Sequence, residues 1–395
     1  MITIQPFRNE YLASILNLIK RSDSTNRSID TWCGNNMTSV LAFDDEKLIG
    51  VLPLEKRLFS LGSDRSLNIL WVSAAHVEPE YRSQGVGTAM NHKIQEYFFP
   101  DFKAVFVYRG DETSKAYRWY NKLGYHEILS VLSFKKDVIR LDGASDNVLL
   151  SNETEISRWE DKLFSCFNRN TGAFGGFPLR HRHFWSDKIK AHYYKEFYTY
   201  SILAITSQDR ISGYAFLGKT TMKDGIPRID ILEFVAPDES VTGIRDRLYN
   251  AIMNFACQRG LKEVRIQLST QDPHLQWIKS MGFVNRRRFN VMGRLIDPIS
   301  YFRECLSGKV DLEEEYQFII QTPALGEHTI GKGKNSTKLF VHDNLLNDIL
   351  LCRSNISNAV EEGRFVIIDG DKNNIKVLES HFPLNKWQYF HIDYI

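Results

Sequence analysis

The sequence predicts a mixed α/β protein (α+β, with mixed sheets) built from more than one unit, and three observations carry that expectation. Short apolar runs alternate with stretches at helical spacing along the whole chain. Residues 68–98, NILWVSAAHVEPEYRSQGVGTAMNHKIQEYF, read as an apolar strand, a glycine-bearing turn and an amphipathic helix. Residues 275–283 (LQWIKSMGF) echo residues 117–125 (YRWYNKLGY), as a repeated unit would. At 395 residues the chain has room for two or three domains, each with its own core.

The elements follow in order. Residues 2–7 alternate as a strand does, and 10–20 have helical spacing. Residues 22–36 are polar and read as a loop; 39–43 and 48–58 form a hairpin around Asp44-Asp45-Glu46. After the central strand–turn–helix, 103–107 is a short buried strand. Residues 114–123 form a helix stopped by Gly124, and 127–134 a further strand. The polar stretch 142–152 reads as a boundary. Beyond it come a hairpin (201–206 and 211–217), a strand (227–235), a helix (241–259), a strand (263–269) and a short helix (275–281). The last unit starts near Ile296-Asp297-Pro298. It carries helices at 299–306, 344–352, 355–362 and 374–382, and strands at 316–321 and 338–341, with an apolar run at 365–368. The acidic run 311–315 reads as a solvated turn. The chain closes on HFPLNKWQYFHIDYI, too aromatic for a frayed tail, so its end is expected to tuck into the body.

Composition narrows the chemistry. The chain is 43% hydrophobic and 25% charged with a net charge of +2, so no general basic field points to nucleic acid. No apolar run approaches a membrane span and the first residues lack a signal-peptide pattern, which makes a cytoplasmic, non-membrane protein the expectation. The five cysteines are scattered without a CxxC pair, so no metal site is expected. His181-Arg182-His183 tempts a metal reading, yet nothing nearby completes a ligand set, and a solvated or stacking face is the simpler account. His76 is open between a core histidine and a proton carrier.

The turn Arg82-Ser83-Gln84-Gly85-Val86-Gly87 is where chemistry is expected. A strand feeding a helix leaves backbone N–H groups and the positive end of a dipole at one spot, which suits a phosphate. Gly85 and Gly87 allow close backbone approach, and Arg82 adds a charged donor. No Gly-Lys-Ser/Thr ending makes it a Walker A loop, and Met90 stands where a third Rossmann glycine would be. The second signal is Ala116-Tyr117-Arg118-Trp119-Tyr120-Asn121-Lys122-Leu123-Gly124-Tyr125. Ala116, Tyr120 and Leu123 share one helix face, so Tyr120 is either a core aromatic or a hydroxyl aimed at a departing sulfur.

The first motif resembles the R/Q-x-x-G-x-G/A pyrophosphate signature of the GNAT acetyltransferases, and the second resembles their A-x-x-F/L-Y-x-x-x-G-F/Y motif. Over its full length the chain is similar to the Eis-like (enhanced intracellular survival) branch. That resemblance implies a catalytic GNAT domain at 1–140, a degenerate GNAT-like domain at 153–296 lacking the phosphate motif at its turn 236–243, and a sterol-carrier-like domain at 297–395. It implies acetyl-CoA as cosubstrate, gripped by Ala75, Val77, Arg82, Ser83, Gln84, Gly85, Val86, Gly87 and Thr88. It makes Tyr120 the general acid and the carboxylate of Ile395 a base or orienter. Asp23, Trp32 and Asp393 become candidates for binding the cationic amine. The implied substrate is a small-molecule primary amine, aminoglycoside-like polycations included, and the implied assembly a homo-oligomer, a hexamer in that branch. Acylation of a protein lysine or another amine, and a non-catalytic acyl-CoA- or lipid-binding module, stand as alternatives. No cysteine lies in either motif, so a covalent acyl-enzyme is not expected.

Overall fold

The computed structural model describes residues 1–22, 37–62, 64–73, 75–109, 113–141, 147–191, 199–207, 210–220, 225–237, 243–307 and 314–394. The first stretch contains β1 (Ile2–Pro6), α1 (Leu12–Ser22), β2 (Met37–Asp44), β3 (Lys47–Gly62), β4 (Arg65–Val72), β5 (His76–Val77), α2 (Val86–Phe98), β6 (Ala104–Arg109), α3 (Lys115–Lys122) and β7 (His126–Asp137). The middle adds β8 (Asn147–Leu150), α4 (Glu153–Thr171), α5 (Phe184–Ala191), β9 (Thr199–Ser207), β10 (Arg210–Thr220), β11 (Arg228–Val235), α6 (Ile244–Gln258), β12 (Glu263–Ser269), α7 (Leu275–Ser280) and β13 (Val284–Leu295). The last part holds α8 (Pro298–Ser307), β14 (Tyr316–Thr322), β15 (Gly326–Gly331), β16 (Asn335–Val341), α9 (Asp343–Leu350), α10 (Ile356–Glu361), β17 (Phe365–Gly370), α11 (Asn374–His381) and a closing 3-10 turn, His391–Tyr394.

Strands β1 to β13 join one sheet in the order β1-β2-β3-β4-β6-β13-β7-β12-β11-β10-β9-β8, with β5 pairing β3 off that path. Strand β13 enters between β6 and β7, and β7 in turn borders β12, so hydrogen bonding does not stop at either side of the 140s. Each half repeats one crossover. β4 runs parallel to β6 from Ile69–Ala104 to Val72–Val107, with α2 between them in the chain. β11 runs parallel to β12 from Arg228–Glu263 to Ile231–Ile266, with α6 between them. Helices α2 and α3 cover one face of the first half over Leu52, Val72, Val105 and Val107. α6 covers the second half over Ile229, Val264 and Leu268. A second sheet, β15-β14-β16-β17, packs with its helices against the opposite face of the first half, on Phe59, Ile69 and Phe106.

The sequence reading placed no element where α4 and α5 stand, and three strands depart from it as well. β8 lies within the stretch read as a boundary, because three apolar residues sufficed for an edge strand beside β9. β13 was not expected, since its Asn-Arg-Arg-Arg start reads as surface although residues 290–293 and Leu295 are buried. β15 forms in the glycine- and lysine-rich stretch by pairing with β14. The acidic run 311–315 falls mostly outside the described residues.

Candidate acyl-transfer site

The site is built at the end of β4. The sequence reads 68–77 as one strand; the structure breaks it. β4 pairs β3 up to Leu54–Val72, and β5 resumes at Val51–His76 and Gly50–Val77, one residue out of the earlier register. The register thus slips by one between Val72 and His76, as across a β-bulge, and a bulge takes backbone groups out of the ladder. Ser73 still donates to the Pro53 carbonyl (3.0 Å), and beyond the bulge Glu78 donates to Ile49 (2.8 Å). On the other side β6 continues to Arg109 while its pairing with β4 stops at Val107. The two parallel strands therefore part where the chain turns toward α2.

That turn has a defined shape. Ser83 takes φ +63° and Gly85, the residue preceding α2, takes φ +84°. Both lie in the left-handed region, easy for glycine and costly for serine. Arg82 Nε holds the Val77 carbonyl (2.9 Å), and Gln84 holds the Glu80 carbonyl (2.6 Å), so the turn is tied back onto β5. No side chain caps α2 and no acid sits in its first turn. Its first N–H groups thus keep their positive field for an external acceptor. A Cβ at Gly85 would meet nothing within 4 Å, so the space above the turn is open. These features fit a diphosphate.

Gly87 has a different reason than the one read from sequence. A Cβ there would come within 3.2 Å of the Trp119 ring. Trp119 also donates to Thr88 Oγ1 (3.1 Å), so the small residue lets α3 dock on the start of α2. Val86 is buried beneath the turn, while Ala75 and Val77 are half-buried at its edge. Ser114 caps α3 by accepting from the Tyr117 N–H (3.1 Å). Tyr120, on the inner side of α3, has no exposed surface and packs edge-on against Trp119 (4.6 Å) and Tyr125 (5.0 Å). Burial pushes the neighbouring Tyr125 phenol up to about 12, while Asn91 donates to its oxygen (3.1 Å).

The chain's end is folded inward. Trp387 packs on Phe59 and Phe106, Tyr389 stacks on Tyr108 (6.3 Å), and Phe390 lies against Phe167 and Phe177. Asp393 is fully buried as a side chain. Arg180 donates to both its oxygens and, through Nη2, to Glu233 Oε1 (2.7 Å). Trp185 donates to the other Glu233 oxygen (2.8 Å), and the guanidinium lies 3.6 Å from the Phe184 ring centre. Burial raises the Asp393 carboxyl, and Arg180, then Lys188 and Arg57, act against that rise. Asp393 thus meets an internal arginine in the structure, a contact that joins the tail to Arg180 and Glu233. Burial and Arg57 together lower the Lys188 ammonium to about 8. Arg57 itself bonds Glu55 (2.7 Å) on β3, beside the strand that feeds the bulge.

The structure therefore brings Val77 and Arg82 through Thr88 together at one helix start, with Tyr120 beneath. Asp23, Trp32 and Ile395 lie outside the described residues. Sequence reading missed Arg180, Glu233 and Trp185 as partners of the tail. The available signal was Glu233, a carboxylate inside the wholly buried strand RIDILEFV, since such a charge needs a buried counter-ion. His181 and His183 are exposed and face different acids, Asp187 and Glu160. Among the described residues no group of three His, Cys, Asp or Glu side chains is placed to hold a metal. Among them, too, no helix is long and apolar enough to cross a membrane.

Residues 7–125 match the acetyltransferase (GNAT) family. That match makes the segment an acyltransferase domain of the GNAT type. Solved structures share the architecture over nearly the whole chain. A GCN5-related N-acetyltransferase from Anabaena variabilis superposes with a TM-score of 0.67 at 14% identity, covering 99% of this chain and 100% of that one. Eis1 from Mycobacterium abscessus gives 0.65 at 12% identity, covering 99% of each. A probable N-acyltransferase from Enterococcus faecalis gives 0.67 at 10% identity, covering 98% and 97%. At such identities the likeness speaks for the fold. No curated protein matches the chain.

Proposed function

We propose that this protein transfers an acetyl group from acetyl-CoA to a primary amine of a small molecule, with aminoglycoside-like polycations among the acceptors. The carrying observation is the start of α2, uncapped, free of acids and open above Gly85, beside the bulge where β4 and β6 part. Acetyl-CoA supplies a thioester activated toward amines. In this reading the turn from Arg82 to Thr88 binds its diphosphate, and a backbone N–H freed near Ala75 and Val77 polarises the acyl carbonyl. An ammonium with a pKa near 10 must lose a proton before it attacks; the Ile395 carboxylate takes that proton, or orients the amine while water takes it. As the N–C bond forms and the C–S bond breaks, Tyr120 gives its proton to sulfur. The packed ring of Tyr120 makes its core role the competing account.

In the same reading residues 1–140 are the catalytic domain, 153–296 its degenerate copy and 297–395 a sterol-carrier-like domain, in a homo-oligomer with Asp393 and Arg180 positioning the tail. Thiol release from acetyl-CoA over a panel of aminoglycosides, polyamines and lysine peptides tests the proposal. Turnover with small amines and little with peptides is expected; acetyl-CoA binding without thiol release against every amine overturns it. Tyr120→Phe should cut kcat by about 100-fold or more with coenzyme affinity kept, the size general acid catalysis contributes. Unchanged turnover would leave Tyr120 a packing residue.

A further inference from the structure

The face of the sheet opposite α6 carries a cavity to which the turn before α2 contributes no residue. Register explains its lining. Asp230 of β11 pairs with Arg265 of β12; Gln267 of β12 pairs with Ser133 of β7, which pairs with Arg287 of β13. Alternate residues on these strands point away from the apolar layer under α6, so their polar side chains converge. The cavity, about 140 Å³, is lined by four guanidinium groups (Arg228, Arg265, Arg286, Arg287) against the one carboxylate of Asp230, with His391 of the folded-in tail beside them. A water fills about 30 Å³ of liquid, so the space suits a group of a few heavy atoms.

Two polar groups in this lining are left unsatisfied. The Arg228 side chain is 10% exposed, and its Nε and Nη1 are buried without a hydrogen-bond partner, Asp230 lying at a loose 3.5 Å from Nε. Gln267 Oε1 is likewise buried and unpartnered, and half a turn of the amide offers its NH2 instead. An unpaired buried guanidinium N–H is costly unless something accepts from it. Arg265 already spends its Nε on Glu263, whereas Arg286 and Arg287 stand exposed at the mouth. Guanidinium forks match tetrahedral and planar oxyanions.

We propose that this cavity is a binding site for a small oxyanion, the phosphate of a monoester in particular, seated on Arg228 and Gln267 and clamped by Arg286 and Arg287. The site is separate from the turn before α2 and does not depend on acyl transfer. Calorimetry on the full chain, presaturated with CoA to block that turn, tests it with inorganic phosphate, glycerol 3-phosphate, and phosphatidylcholine vesicles with and without phosphatidic acid. Saturable binding of one phosphate or glycerol 3-phosphate per chain is expected. Arg287→Gln, an exposed change that keeps the fold, should weaken it at least tenfold, and Asp230→Asn should tighten it. Capture of the phosphatidic acid vesicles alone would assign the same oxyanion site to a lipid headgroup, provided Arg287→Gln weakens it. No binding of any probe, or binding indifferent to both substitutions, overturns the proposal.

Discussion

The two crossovers of the sheet use one plan to opposite ends. In each, a strand makes four parallel rungs with its partner, and the bulge that follows slips the register by one, between Val72 and His76 after β4 and at Leu232 in β11. In each, a left-handed glycine without a side-chain cap precedes the helix: Gly85 at φ +84° and Gly243 at φ +62°. In each, a tryptophan from the next helix donates to the third residue of the crossover helix, Trp119 to Thr88 and Trp277 to Asp246 (2.9 Å). The difference is charge. Asp246 brings an anion of its own to the start of α6, whereas Thr88 leaves the start of α2 uncompensated. Beyond its bulge β11 carries Glu233, already held by Arg180 and Trp185, with Leu232 buried beside it. The second half has satisfied internally what the first half leaves open.

Breaking that internal satisfaction should have the largest effect. Asp393→Ala leaves Arg180 and Glu233 buried with one partner missing, and should cost about 3–5 kcal/mol in denaturant unfolding. A loss under 1 kcal/mol would show that water reaches the cluster. Next comes the first half made to look like the second. Thr88→Asp should weaken CoA binding by tenfold or more, about 1.4 kcal/mol, through repulsion of the diphosphate. Asp246→Thr should leave CoA affinity unchanged, and equal effects of the two substitutions would dissolve the comparison. Gly85→Ala forces a side chain into φ +84° and should cost about 1–2 kcal/mol of stability.

The second half also predicts a pH dependence. Burial, helped by Arg245, lowers His274 to about 4; burial, helped by Arg228, does the same for His391. Their unfolded values lie near 6.5, so between the two limits the unfolded chain binds more protons. Stability should therefore be full above about pH 6.5 and fall as pH drops toward 4, by at most about 1.4 kcal/mol per histidine for each unit of lowering. His274→Asn should flatten part of that slope in melts from pH 7 to 4.5; an unchanged slope would mean the ring protonates in place.

The sequence by itself determined the local devices. Apolar periodicity placed the crossover strands and helices, the glycines marked the turn before α2, and the aromatic ending announced a buried tail. These are decided within a few residues, by dihedral freedom and by which face of an element is apolar. Tertiary structure alone decided that β13 enters between β6 and β7, that Gly87 makes room for Trp119 and that Asp393 finds Arg180, 213 residues away in sequence. It also set four arginines from three strands around one cavity. Each of these rests on which strands become neighbours and in what register, a matter of packing between distant segments that local periodicity does not encode.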